Sequence, residues 1–279
     1  MGTDRNSYSR TDTDATFMRM KDDHMRNGQL KPAYNVQIAV NSEYITGIEA
    51  FSNRTDFGTL APFLEEISSR HECRYWKVVA DAGYESLENY LYLEKKGQMS
   101  FIKPANYEQA KTKKYRSQIG RAENMQYDAG ADIYICAEGR TLVKQYESTD
   151  KLSGAVTTHY RCENCCQCSL RAKCCSAKNP NSSKEIRVKK QLVEKRMQSL
   201  NNITTEEGIY LRMCRSIQVE GAFALLKNDF GFRRFLTTGK KNVKIELLFL
   251  AFGFNLKKNW MKAEAERERT HLSVIKKTA

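Results

Sequence analysis

The stretch Lys77-Val78-Val79-Ala80-Asp81-Ala82-Gly83 sets the tightest limit on the fold. An apolar run ends in a carboxylate, and a glycine follows two residues on. Such a run suits a buried strand, which would deliver Asp81 to the rim of a sheet where a turn begins. The same residues also suit an ordinary turn with no chemistry. Upstream, Tyr34, Val36, Ile38 and Val40 alternate with Asn35, Gln37, Ala39 and Asn41. Period two predicts a half-buried strand, with a turn at Asn41-Ser42-Glu43 and a hairpin partner over Tyr44–Phe51. Asp56 is expected to cap a helix whose apolar face is Phe57, Leu60, Ala61, Leu64 and Ile67. Ser86 caps a second helix that ends at Gly97, and Met99–Lys103 is a short strand stopped by Pro104. Residues 34–105 thus read as β-β-α-β-α-β, the first part of an α/β core with one mixed sheet.

Residues 1–33 are polar, with a short strand expected at Thr16–Met20. Residues 106–203 read as an insertion with its own small core: a basic loop at Lys111–Arg121, strands at Asp132–Cys136, Thr141–Tyr146 and Val156–Tyr160, a cysteine cluster, and a charged helix over Lys189–Leu200. Residues 204–262 return to the core as helices. One begins at Thr204, which has capping-box spacing to Glu207, and runs to Asp229. The next, Val243–Leu256, is apolar on nearly all sides and is expected to be buried. The polar chain from Lys257 is expected to fray, and 263–279 forms a charged tail.

The 279 residues include 46 Lys and Arg against 33 Asp and Glu, a net charge of +13. A field of that sign attracts polyanions, nucleic acid first among them; a solvated basic face is the bland alternative. The N-terminus has no apolar segment for a signal peptide, and the longest apolar run, Leu247–Phe254, is too short to span a bilayer. A soluble, cytosolic protein is expected. Nine cysteines in such a compartment suit thiols or metal ligands better than disulfides.

Glu220 sits in Arg215-Ser216-Ile217-Gln218-Val219-Glu220-Gly221-Ala222-Phe223. At helical spacing it shares a face with Met213, Ser216, Ile217, Phe223, Ala224 and Lys227. Either it works there as an acid, or it forms a structural pair with Lys227 at the edge of a core.

Together, Val-Val-Ala-Asp81-Ala-Gly-Tyr, Arg-Ser-Ile-Gln-Val-Glu220-Gly-Ala-Phe, Lys227, Gly231-Phe-Arg-Arg and Gly239 resemble bacterial insertion-sequence transposases of the DDE type. Thr13-Asp14-Ala15, the Tyr34–Val40 strand, and Tyr160-x-Cys162 with the cysteines after it are also similar to that family. The resemblance implies an RNase H-like fold, with acids on the first strand, the fourth strand and a late helix. Asp81 falls at the second of these positions and Glu220 at the third. Both would be ligands of Mg²⁺ or Mn²⁺, and Lys227 would hold a DNA phosphate. The implied reaction cuts a strand at the transposon end with water, and the freed 3′-hydroxyl then attacks target DNA. The implied partners are terminal inverted repeats and target DNA, bound by a homo-oligomer in the bacterial nucleoid.

Two departures from the family pattern stand out. Ser216 occupies a position where the family often has arginine, with Arg212 and Arg215 as substitutes. No acid-tipped first strand occurs in residues 1–33, where Asp12 and Asp14 are the stand-ins. The expectation is therefore a transposase lacking its N-terminal part, weak or inactive alone. The alternative is a noncatalytic, zinc-stabilised DNA-binding remnant; an unrelated α/β phosphohydrolase using Asp81 is a third reading.

The basic residues Arg233, Arg234, Lys240 and Lys241, with Gly231 and Gly239, suggest a loop over phosphate. Cys162-x-x-Cys165-x-x-Cys168, followed by Cys174, can close on one structural Zn²⁺, with Cys136 as an alternate ligand. Cys166 and Cys175 each shadow a neighbour. Reduced cysteines packed as small apolar side chains are the other reading.

Overall fold

The computed structural model describes residues 8–19, 27–151, 153–165, 167–175, 179 and 182–265. Cys166 and the tail after Ala265 lie outside the described residues. Two units are formed: Met1–Glu85 with Leu91–Ile102 and Asn202–Ala279, and Ser86–Tyr90 with Lys103–Asn201.

In the first unit, β1 (Thr16–Arg19) and β2 (Leu30–Ala33) pair antiparallel. Strands β3 (Asn35–Asn41) and β4 (Tyr44–Phe51) form the hairpin that the alternation predicts. Ser42 and Glu43 take positive φ at its tip. A 3-10 turn at Asp56–Gly58 precedes α1 (Leu60–His71). Strand β5 (Lys77–Ala80) ends at Asp81, and α2 (Leu87–Lys95) leads to β6 (Met99–Ile102), which pairs parallel with β5.

The hairpin is covered on both faces. Ile45, Ile48 and Ala50 join Val243, Leu247, Ala251 and Phe254 in one core, while Phe51 joins Phe63 and Ile67 in another. Gly47 allows the second contact, because a Cβ there would lie 2.6 Å from Ile67. Full burial of a side chain such as Leu247 stabilises by about 1.5–3 kcal/mol.

The single mixed sheet expected from the sequence is absent among the described residues. The first unit instead holds three separate two-stranded pairs. At the outer edge of β4, the Ile45 N–H donates to Asn255 Oδ1 at 2.8 Å, and the Asn255 amide donates back to the Ile45 carbonyl at 2.9 Å. A side chain thus satisfies backbone groups that a further strand would take.

The second unit contains α3 (Tyr107–Ala110) and α4 (Lys113–Arg116), the latter within the stretch Lys111–Arg121 where a loop was expected. Five strands form its antiparallel sheet: β7 (Gln126–Asp128), β8 (Ile133–Ile135), β9 (Thr141–Thr149), β10 (Val156–Cys162) and β11 (Glu185–Val188), in the order β11-β10-β9-β8-β7. The short helix α5 (Arg171–Cys174) lies between β10 and β11, and α6 (Lys190–Thr204) follows the sheet. The pattern reading found β8, β9, β10 and α6, and missed β7 and β11. Tyr160 is fully buried, and its hydroxyl donates to Asp132 at 2.7 Å. Lys190 also donates to Asp132 at 2.7 Å.

Back in the first unit, α7 (Glu206–Arg215) is capped by Thr205, whose hydroxyl accepts from the Gly208 N–H; Thr204, the expected cap, ends α6 instead. A π turn at Ser216–Glu220, α8 (Gly221–Ala224) and a second π turn at Leu225–Asp229 continue the same helix. The last helix, α9 (Lys240–Glu264), runs past Lys257, where fraying was expected. It is not buried all round: Phe249, Phe252, Leu256 and Trp260 are exposed. Val243, Leu247, Ala251 and Phe254 join the core with Leu250 packed beside them, while Ile245 and Leu248 are also exposed. Among the described residues, no helix is long and apolar enough to cross a membrane.

Candidate active site

Asp81 stands where the apolar run stops. Its backbone is extended and its carboxylate accepts from the Ala82 N–H at 2.8 Å, starting a 3-10 turn over Ala82–Tyr84. The side chain remains about half exposed. The strand therefore presents a carboxylate at its tip, as the sequence predicts.

The neighbouring helix is set against this strand at two points. Lys77 at the start of β5 pairs with Glu207 at the start of α7. Asp81 at the end of β5 meets Arg215 at the end of α7, with Nη2 3.7 Å from Oδ2. From 77 to 81 a strand rises about 13 Å, and from 207 to 215 a helix rises about 12 Å. The two elements thus run side by side in the same direction and nearly in step. Glu220 follows on the same helix, one π turn beyond Arg215. Its carboxylate is exposed and accepts from the Ser216 hydroxyl at 2.9 Å. π turns inside α-helices are frequent at functional sites.

A second carboxylate stands beside the Asp81 turn. Asp56 does not cap α1, as the sequence suggested. Its Oδ1 accepts from Asn35 Nδ2 at 2.7 Å and from Gln37 Nε2 at 3.0 Å. Its Oδ2 lies against Gly83, where a Cβ would come within 2.8 Å. Burial raises the Tyr84 phenol well above its ordinary pKa, and the Asp56 and Asp81 charges push the same way against Arg215. Tyr84 thus lies within the fields of Asp56, Asp81 and Arg215. Gln37 is buried, and its Oε1 has no partner among the described residues. Sequence reading missed Asp56 as part of this cluster, because Asn35 and Gln37 looked like the outward-facing half of an amphipathic strand.

The other predicted residues are distributed as follows. Asp14 accepts from the Lys240 N–H at 3.0 Å, and Asp12 accepts from the Gly239 N–H at 3.0 Å and from the Tyr34 hydroxyl. Both acids thus face the start of α9, where negative charge complements the helix dipole. Lys227, Arg233, Arg234 and Lys241 are exposed, and Arg212 is half-buried. Lys240 lies over the Phe51 ring. In the loop between Gly231 and Gly239, the Leu236 and Thr237 N–H groups donate to Glu246. Those two backbone donors are therefore taken by Glu246, while the arginines of the loop are exposed.

Residues 135–260 match the family described as Transposase DDE domain. No curated protein and no solved structure matches the chain. The span matched to the transposase DDE domain holds Glu220, Lys227, the predicted arginines and lysines, and the cysteines from Cys136 to Cys175; Asp81 and Asp56 precede it.

Mg²⁺ and Mn²⁺ take hard oxygen donors and keep several waters. The exposed carboxylates of Asp81 and Glu220 are donors of that kind. Among the described residues, no three His, Cys, Asp or Glu side chains stand at metal-holding geometry.

Proposed function

We propose that the chain is a DNA transposase of the DDE type, acting by metal-dependent strand cleavage and transfer at transposon ends, with an RNase H-like core. One observation carries the reading. Arg215 joins the tip of β5, with Asp81, to the helix inside the matched DDE domain that carries Glu220. In this reading Asp81 and Glu220 hold the divalent ion. Bound there, the ion would neutralise charge developing on the phosphodiester and ease deprotonation of the attacking water. Lys227, Arg233, Arg234 and Lys241 hold DNA phosphates, and that binding weakens steeply with salt. Arg215 balances the Asp81 charge. Asp56 positions the Gly83–Tyr84 turn that follows Asp81. Asp14 is engaged at the start of α9, so it does not supply a third acid in this arrangement.

That no three acids gather among the described residues favours a second reading, a noncatalytic DNA-binding remnant. Incubation with supercoiled plasmid and Mg²⁺ or Mn²⁺ separates the two. The transposase reading predicts nicking that falls at least 100-fold in Asp81→Ala and Glu220→Ala, with DNA binding retained. Binding without nicking selects the remnant. Nicking unchanged in both variants contradicts the site assignment.

A further inference from the structure

The basic segment Lys111–Arg121 takes no part in the site around Asp81. From Gln109 to Ala122 the chain holds five cations, Lys111, Lys113, Lys114, Arg116 and Arg121, and no acid. All five are exposed. Lys111 pairs with Glu108, which also takes Lys103. Lys113, Lys114, Arg116 and Arg121 have no acidic partner among the described residues.

Blocks of like charge usually stay disordered. This one is pinned in place. Thr112 caps α4 by accepting the Tyr115 N–H at 3.2 Å. Tyr115 is buried, and its hydroxyl accepts from Asn106 at 3.2 Å. The Asn124 amide donates to the Tyr115 and Gln118 carbonyls at 2.8 and 3.0 Å. Arg116 Nε donates to the Ala110 carbonyl at 3.0 Å, and the Arg121 guanidinium stands 4.4 Å over the Tyr115 ring. Gly120 lies so close to the Cys174 backbone that a Cβ would come within 2.3 Å of its carbonyl oxygen. Cys174 in turn lines a small cavity with Cys136, Cys162, Cys165 and Cys168, where no three thiols stand at metal-holding geometry. The fold thus holds like charges together with no acid between them, a self-repulsion that a bound anion would relieve.

The exposed side chains decide which anion. From Lys111 to Ser117 every residue except Tyr115 is exposed. That stretch offers no apolar side chain to enter a bilayer and no open ring to stack on a base. It offers a fixed set of cations for phosphates.

We propose that this segment is a second, sequence-independent DNA-binding surface, in which Lys113, Lys114 and Arg116, flanked by Lys111 and Arg121, hold phosphates of duplex DNA. The inference rests on the transposase reading, which supplies DNA as the partner but draws its phosphate contacts from the first unit. The segment lies in the second unit and outside the matched span 135–260. Contacts to phosphate fix register and orientation on the duplex but read no bases.

The test is duplex binding by the full chain, followed by fluorescence anisotropy over a salt series. Each phosphate contact adds about 0.9 to the slope of log affinity against log salt. Lys113→Gln/Lys114→Gln/Arg116→Gln should lower that slope by about 2.7 and weaken binding about tenfold or more at low salt, equally for duplexes of unrelated sequence. A slope that falls only in Arg233→Gln/Arg234→Gln, and not in the triple variant, overturns this proposal and leaves the transposase reading standing. A wild-type chain that binds no duplex overturns both. A loss confined to one duplex sequence overturns the proposal, since it means base readout. The three side chains are exposed, so the triple variant should keep the wild-type urea midpoint. If it does not, lysine acetylation of the wild-type chain decides. Bound duplex shields Lys113 and Lys114 if the proposal holds, and leaves them as reactive as in the free chain if it fails.

Discussion

Asp56 shows how one side chain can shape a site without being read as part of it. Its Oδ1 collects two amide donors from β3, and its other oxygen rests on the turn after Asp81. Asp56→Ala strips acceptors from Asn35 and from buried Gln37, so it should destabilise the chain by about 1–3 kcal/mol in urea denaturation. Asp56→Asn keeps an acceptor and should cost less than half as much. Equal costs would show that the charge matters, not the hydrogen bonds. Asp81 and Glu220 stand out in the sequence because each breaks its surroundings: one carboxylate ends an apolar run, and the other sits in a helix with apolar neighbours. Asp56 was not legible, because its partners lie about twenty residues upstream on a strand whose two faces are both covered. The alternation of β3 correctly gave a strand, but could not show that Gln37 would be 2 % exposed.

The helix that carries Glu220 depends on a close approach near its start. A Cβ on Gly208 would overlap the Asn202 carbonyl and come within 2.7 Å of Ile203 Cα. Because the obstruction is backbone, Gly208→Ala should destabilise by about 1–3 kcal/mol and loosen the Lys77–Glu207 and Asp81–Arg215 pairs with it. Denaturation midpoints of wild type and variant check this; an unchanged midpoint would mean that the backbone shifts freely. The existence of this helix was plain from its spacing. Its two π turns were not, since each needs one extra residue per turn that no local pattern marks. The residues read as one face, Met213, Ile217, Glu220 and Lys227, are all exposed. Similarly, the apolar run Val243–Leu256 could not reveal that Phe249, Phe252 and Leu256 would be exposed.

At the scale of the whole molecule, each unit carries an acid-sensitive anchor. In the second unit, hydrogen bonds from Lys190 and Tyr160, opposed by burial and aided by Tyr127, hold the Asp132 carboxyl down at about 2. In the first, burial would raise Asp12, but bonds from the Gly239 N–H and the Tyr34 hydroxyl outweigh it and lower its pKa. A depressed carboxylate stabilises fully above its ordinary pKa of 3.8 and loses that contribution as pH falls through its folded value. Both units should therefore weaken below about pH 4, and Asp132→Asn should cost about 1–2 kcal/mol near neutrality while flattening the acid limb. Acid titration followed by tyrosine fluorescence checks this, and an acid limb unaltered in the variant would contradict it. The expected continuous sheet was the least legible feature. Strand pairing over long sequence distances is fixed by edges, and Asn255 closes one edge of β4 in a way that no pattern announces.

The claim on which the functional account rests is that Asp81 and Glu220 serve one divalent ion. Iron substituted at such a site and reduced with ascorbate generates hydroxyl radicals that cut the nearby backbone. The account predicts cleavage near both 80–84 and 216–221, abolished at both places by Asp81→Ala alone. Cleavage at only one of these stretches, or at both but surviving in Asp81→Ala, would contradict a shared ion.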